Sequence, residues 1–115
     1  MAVSPEFREY ALEQLGRVAP VSARSMFGGV GVYGGGLFFA LLDDDRLYLK
    51  VDDANRAEFE AIGSRPFQPF GEGSKPMGYY ELPGDLLEDV GRLRPWVEVA
   101  IEVARRAAGR KGKRG

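Results

Sequence analysis

The stretch LFFALLDDDRLYLKV, residues 37–51, decides how the rest of the chain is read. Its first six residues, Leu37 to Leu42, are all apolar and show no alternation, which predicts a central strand buried on both faces. Asp43, Asp44 and Asp45 supply turn chemistry. Arg46 to Val51 then alternates cleanly, so Leu47, Leu49 and Val51 are expected to face a core, with Arg46, Tyr48 and Lys50 on the other side.

Upstream, Gly34, Gly35 and Gly36 form a second turn. Before it, the β-like segments Arg24–Phe27 and Val30–Tyr33 flank Gly28 and Gly29, a pair expected to make a bulge or kink. The chain starts with an expected helix: Ser4 caps it, Pro5 suits its first position, and Glu6 and Glu9 complement its dipole. Phe7, Ala11, Leu15 and Val18 recur at helical spacing, and Gly16 marks the stop.

Downstream, Asp52 and Asp53 are expected to open a second, surface-lying helix whose thin apolar side is Phe59 and Ile62, with its stop at Gly63. Phe67 and Phe70 lie in a proline-punctuated segment that reads as an edge strand or extended loop. Gly71–Pro76 reads as a turn or mobile loop, and Met77–Leu82 as a further strand. The last helix is expected to begin near Arg92–Pro95, with Trp96, Val99, Ala100, Val103 and Ala107 as its core stripe. The expected order, α-β-β-β-α-β-β-α, is an α+β fold in which helices cover an antiparallel sheet. Residues 1–108 are read as one domain and 109–115 as a frayed basic tail.

The bulk numbers agree with a single globular domain. The chain has 115 residues, 44% of them apolar and 29% charged, enough to bury one core. It has no cysteine and no histidine. Disulfides, the usual Cys/His zinc sites, Ser–His and Cys–His nucleophile pairs and the HExxH metallopeptidases are therefore excluded. The Met1 end has neither a positive n-region nor an apolar h-region. The charge-free run Ser25–Leu42 carries six glycines and reads as a hairpin, not a membrane span. The expected location is the cytoplasm, and the Ala, Gly and Arg usage points to a GC-rich bacterial genome.

The net charge of −1 hides an asymmetry. Residues 1–102 are acidic on balance, whereas Arg105, Arg106, Arg110, Lys111, Lys113 and Arg114 follow without any acid. Those six cations have two readings, attachment to nucleic-acid phosphates or a solubilising helix end. The absence of an aromatic residue for base stacking favours the second.

Two other motifs are weighed and set aside. Gly29 to Gly34 matches G-x-G-x-x-G, but strand-like Val30 and Val32 lie inside it and a strand follows, where a dinucleotide site needs a helix. A kinase glycine loop would place Lys50 on a following strand, yet the chain is too short and lacks the His-Arg-Asp loop. Asp43–Asp45 with Asp52 and Asp53 lack the alternating ligands of a calcium loop, so neither a metal nor a cofactor is expected.

The candidate contact surface is a mixed aromatic and basic one comprising Arg24, Phe27, Gly28, Gly29, Arg46, Tyr48, Lys50, Tyr79, Tyr80 and Glu81. A Lys50, Tyr80 and Glu81 grouping is the alternative small-ligand site.

Several segments, in order, resemble the N-terminal domain of the TfoX/Sxy competence regulators. They are Arg24–Gly29 with Gly31 and Tyr33, then Phe39–Ala40, Arg46–Asp52, Asn55, Phe59 and Gly63–Ser64, followed by Tyr79–Pro83 and Trp96. The resemblance spans roughly residues 5–107. It implies a secretion-chaperone-like α+β fold and a coactivator rather than an enzyme. Full-length regulators of this type promote DNA-uptake genes with the cyclic-AMP receptor protein and carry a second helical domain, which does not follow here. The resemblance therefore implies a regulatory binding module with a protein partner, a transcription factor among the candidates; the sheet face and strand edges, which offer unpaired backbone groups, are the expected contact surfaces, and homodimerisation is a further expectation. It transfers no catalytic residue.

Overall fold

Two pairs of residues at positive φ set the hairpins of the sheet. Asp44 and Asp45 sit at +53° and +55°, and Gly35 and Gly36 at +58° and +81°. In each case a two-residue loop has both central residues left-handed, the type I′ signature, whose twist matches that of the flanking strands. The computed structural model describes residues 2–26, 28–68 and 78–114, the last five as helical backbone. Its elements are α1 (Pro5–Gly16), β1 (Ser22–Met26), β2 (Gly29–Gly34), β3 (Leu37–Asp43), β4 (Arg46–Lys50), α2 (Arg56–Ala61), β5 (Tyr79–Leu82), α3 (Gly84–Glu88) and α4 (Val90–Arg114). The strands form one antiparallel sheet in the order β1-β2-β3-β4-β5, with β3 central as its unbroken apolar run predicts.

The α+β class holds, and four points of detail differ. First, Gly28, at φ +80°, reverses the chain so that Met26 pairs with Gly29. The glycine pair thus separates two strands instead of bulging one, and four strands precede α2. The bulge lies elsewhere: Tyr33 pairs with Phe38 and Val32 with Ala40, leaving Phe39 as the extra residue of β3.

Second, the segment around Phe67, read as an edge strand or extended loop, makes a single bridge between Pro66 and Tyr80, so one strand, β5, follows α2 among the described residues. The bridge is framed by Phe67 N–H donating to the Tyr79 carbonyl (2.7 Å) and Glu81 N–H to that of Arg65 (3.0 Å). Phe70, the Gly71–Pro76 stretch and Met77 lie outside the described residues.

Third, a short helix, α3, precedes α4, and α4 begins at Val90. Asp89 caps α4 through its carboxylate to Arg92 N–H (3.3 Å). The buried stripe is Leu93, Val97, Ala100, Val103 and Ala104, whereas Val99 is 38% exposed and Trp96 and Ala107 are half-buried. Ala100 and Val103 of the expected stripe are buried, and its phase is off by roughly half a residue, about 50°. Fourth, the helical backbone of α4 extends past Gly109 to Arg114. Arg and Lys are good helix formers, and Gly109 and Gly112 cost only about 1 kcal/mol each.

Helix α1 is as expected. The Ser4 hydroxyl accepts from Phe7 N–H (3.1 Å) with Pro5 at the first position, and Ala11 and Leu15 are fully buried. Together with Phe59 of α2, Leu86 and Leu87 of α3 and the α4 stripe, they cover Val30, Val32, Phe39, Ala40, Leu42, Leu47, Leu49 and Leu82. All four described helices therefore contribute to one core on one side of the sheet. Two buried amides fasten this layer. Gln14 donates to the Leu87 carbonyl (2.9 Å), tying α1 to α3. Asn55 accepts from Asp52 N–H (2.9 Å) and donates to the Lys50 carbonyl (3.2 Å), fixing α2 to the end of β4.

Candidate interaction surface

Strand alternation puts Ser22, Arg24 and Met26 of β1, Gly31 and Tyr33 of β2, Phe38 and Leu41 of β3, Tyr48 and Lys50 of β4, and Tyr79 and Glu81 of β5 on the side away from the helices. One cross-strand row on this side is a chain of ring contacts. Arg24 lies over Tyr33 (5.8 Å), Tyr33 stacks with Phe38 (5.1 Å), Phe38 meets Tyr79 (5.5 Å), and Lys50 lies over Tyr79 (5.0 Å). A cation thus closes each end of an aromatic run. The next row brings Leu41, Tyr48 and Glu81 together; Phe67 packs on Tyr48 (5.0 Å) and Arg46 pairs with Glu81 (3.7 Å).

Burial grades across this side. Leu41, Tyr48 and Tyr79 are buried in a small second cluster, Tyr33 and Phe38 are half-buried beside it, and Arg24 and Arg46 are exposed at its rim. Loss of hydration pushes the Tyr79 phenol up to about 12, with Tyr33 adding to the shift. Burial, then the neighbouring Glu81 carboxylate, raises Tyr48 as well. Both phenols are therefore firmly protonated at neutral pH, able to donate a hydrogen bond but poorly suited to act as bases.

Of the residues singled out in the sequence, Arg24, Arg46, Tyr48, Lys50, Tyr79 and Glu81 come together here. Tyr80 does not: it pairs with Leu49 and packs on Phe59 (5.8 Å) in the helix-covered core. The proposed Lys50, Tyr80 and Glu81 grouping is thus split across the sheet, because consecutive strand residues point to opposite faces. Gly28 is exposed in its turn. Gly29 lies so near β3 that a Cβ there would clash with the Leu42 carbonyl oxygen. Phe27 lies outside the described residues. Phe38, Leu41 and Phe67 were not singled out, although Phe38 and Leu41 sit within the apolar run quoted above.

The tail cations are placed in part. Arg105 binds Glu102 (2.6 Å) and Arg106 binds Asp52 (3.0 Å), so the first two are already engaged by the chain's own acids. The side chains of Arg110, Lys111, Lys113 and Arg114 lie outside the described residues. A shallow recess of about 180 Å³ lies between α2 and α4, lined by Asn55, Glu58, Phe59, Pro95, Trp96 and Val99. It is smaller than the roughly 300–1,000 Å³ of typical ligand pockets.

The family model of the TfoX N-terminal domain matches residues 13–104, most of the chain and every element from β1 to α3. The chain belongs to the TfoX N-terminal domain family. No curated protein matches it by sequence. The matched TfoX N-terminal region contains the whole sheet and the recess beside Trp96. Among the described residues, no helix is long and apolar enough to cross a membrane.

Proposed function

We propose that this TfoX N-terminal domain is a regulatory module that binds a protein partner through the helix-free side of its sheet. The observation that carries the reading is the grading of that side, with a buried aromatic centre, half-buried rings beside it and arginines at the rim. This is the anatomy of protein-binding hot spots, in which aromatic and Arg anchors sit within a polar surround. Family membership supports a competence-associated role, and a transcription factor is the partner class we favour. A non-enzymatic role is supported by the lack of histidine and cysteine and by phenols held protonated rather than activated. The test is affinity capture with the intact chain and with Tyr33→Ala and Arg24→Ala variants of equal thermal stability. A partner retained by the wild type and lost by both variants supports the reading; equal retention by all three refutes it.

A second reading has one observation in its favour. Helix α4 runs on past Ala104, its last residue in the core, with only basic charge along its final turns, a form suited to phosphate backbones. Truncation after Ala108 should then weaken DNA binding and flatten its salt dependence by roughly 0.7–0.9 per lost phosphate contact. A truncated chain that binds DNA equally well removes the idea.

A further inference from the structure

The two edges of the sheet are treated differently. At the β5 edge, Arg65–Phe67 closes the ladder with two backbone hydrogen bonds, and its bridge residue is a proline. At the other edge, β1 is hydrogen-bonded to β2 alone, and among the described residues no other backbone or side-chain hydrogen bond reaches Ser22–Met26. Ser22, Arg24 and Ser25 are exposed. Proteins guard free edges with proline, bulges, charges or a covering segment. Strand β1 has no proline and no bulge, and Arg24 is its only charge.

We propose that this edge recognises itself: a second copy of the chain pairs with β1 antiparallel across a two-fold axis, joining two sheets into one. The proposal rests on the protein-interaction reading above and adds to it a second contact surface, the sheet edge. An extended peptide gains specificity from pockets for its alternate side chains, but β1 offers mainly small residues, Ser22, Ala23 and Ser25, and the described recess lies at Trp96, between α2 and α4. A second copy needs no pockets, because it brings its own helical layer on one side and its own aromatic row on the other. Both layers continue across the seam.

The register follows from charge and parity. Opposed residues in an antiparallel pair share a face, so slips come in steps of two. The fully overlapped register, centred on Arg24, would set the two guanidinium groups against each other, which is destabilising. Centring on Ser25 runs each strand into the other copy's Gly28 turn. Centring on Ala23 sets Arg24 opposite Ser22 of the second copy and pairs Val21–Ser25 of each. A seam of five residues buries little area and makes a weak, reversible dimer.

The test uses the intact chain, in sedimentation equilibrium from about 10 µM to about 1 mM, a range chosen for a weak complex. Amide exchange is followed at both ends of the range. A concentration-dependent dimer is expected, with slowed exchange at alternate amides of Val21–Ser25. Ser22→Glu places a carboxylate against each Arg24 and tightens the dimer by roughly 2- to 30-fold, and Ser22→Arg loosens it, because two cross-strand charge pairs change. Ser22 is exposed, and thermal melts of both variants check that they fold. A monomer throughout the range, a dimer with unchanged β1 exchange, or equal dimerisation of the two variants overturns the proposal. A strict monomer that still captures a partner through Tyr33 and Arg24 overturns self-pairing alone. A dimer that captures nothing else overturns the wider module reading.

Discussion

Replacing Asn55 tests how the helical layer is fastened to the sheet. The side chain is 2% exposed and makes two hydrogen bonds, from Asp52 N–H and to the Lys50 carbonyl. Asn55→Ala leaves one donor and one acceptor unmatched, each costing about 1–3 kcal/mol. Part of that is recovered as water enters, so we expect a loss of about 2–4 kcal/mol, or roughly 8–15 °C in Tm for a domain of this size. Asn55→Asp is the sharper probe, because it keeps the acceptor for Asp52 N–H but turns the other oxygen against the Lys50 carbonyl. A carboxyl in that place binds its proton more tightly when folded than the ordinary value of about 3.9, since the protonated form can donate to the carbonyl. Its stability contribution is then present below about pH 4 and lost as pH rises through the elevated folded pKa. Urea unfolding of wild type and both variants at pH 4 and pH 7 checks this. Asn55→Asp should lie near wild type at the lower pH and near Asn55→Ala at the higher. If the two variants differ from wild type by less than about 1 kcal/mol at pH 7, the fastening role is refuted.

Other expectations follow from particular distances. With its phenol near pH 12 against an ordinary 10.0, Tyr79 contributes stability that is complete below pH 10 and lost as pH rises toward 12, at most about 3 kcal/mol. Absorbance titration near 295 nm should show a late phenol that Tyr79→Phe abolishes. Gly29→Ala drives a methyl into the Leu42 carbonyl and should cost about 1–3 kcal/mol in urea unfolding; an unchanged midpoint would mean that β2 and β3 are not so close. Leu93→Ala, at a fully buried site, should cost about 2–5 kcal/mol. Trp96→Ala, at a half-buried residue edge-on to Phe59 (4.8 Å), should cost less, and the reverse order would put the α4 stripe back where the sequence placed it.

Strand positions were legible where alternation or turn chemistry was written locally. Arg46–Val51 placed Leu47 and Leu49 inward and Tyr48 outward, and Asp44–Asp45 made the turn they suggested. What failed was phase and partnership. Gly28 read as a bulge because a bulge and a reversal both need a residue free to take positive φ; only pairing partners distinguish them. Helix α3 was missed because five residues carry too little periodicity to register. The outward cluster was legible only in part. Arg24, Tyr48 and Tyr79 were named, but Phe38 and Leu41 were hidden in an apolar run with no polar residue to mark the outside, and adjacent Tyr79 and Tyr80 were both kept although a strand sends them to opposite faces.

The extra residue of β3 explains why that run had to stay uniform. Without a bulge, strict alternation from inward Leu42 would place Ala40 and Phe38 inward, and Leu41 and Phe39 outward. Inserting Phe39 opposite the step between Val32 and Tyr33 turns Phe39 and Ala40 both toward the helices and leaves Phe38 outward against Tyr33. One residue thereby gives α4 a large inward ring beside Gly34 and Ile101 and gives the outer row the middle member of its aromatic chain. Both sides of β3 are consequently apolar at the same point, so neither can be read from hydropathy, and the core and the outer row are fixed by the same irregularity. Deleting Phe39 would leave Val32 paired with Ala40 and Tyr33 with Phe38 in a regular ladder, so the large inward ring should be lost from the core while the contact between Tyr33 and Phe38 is kept.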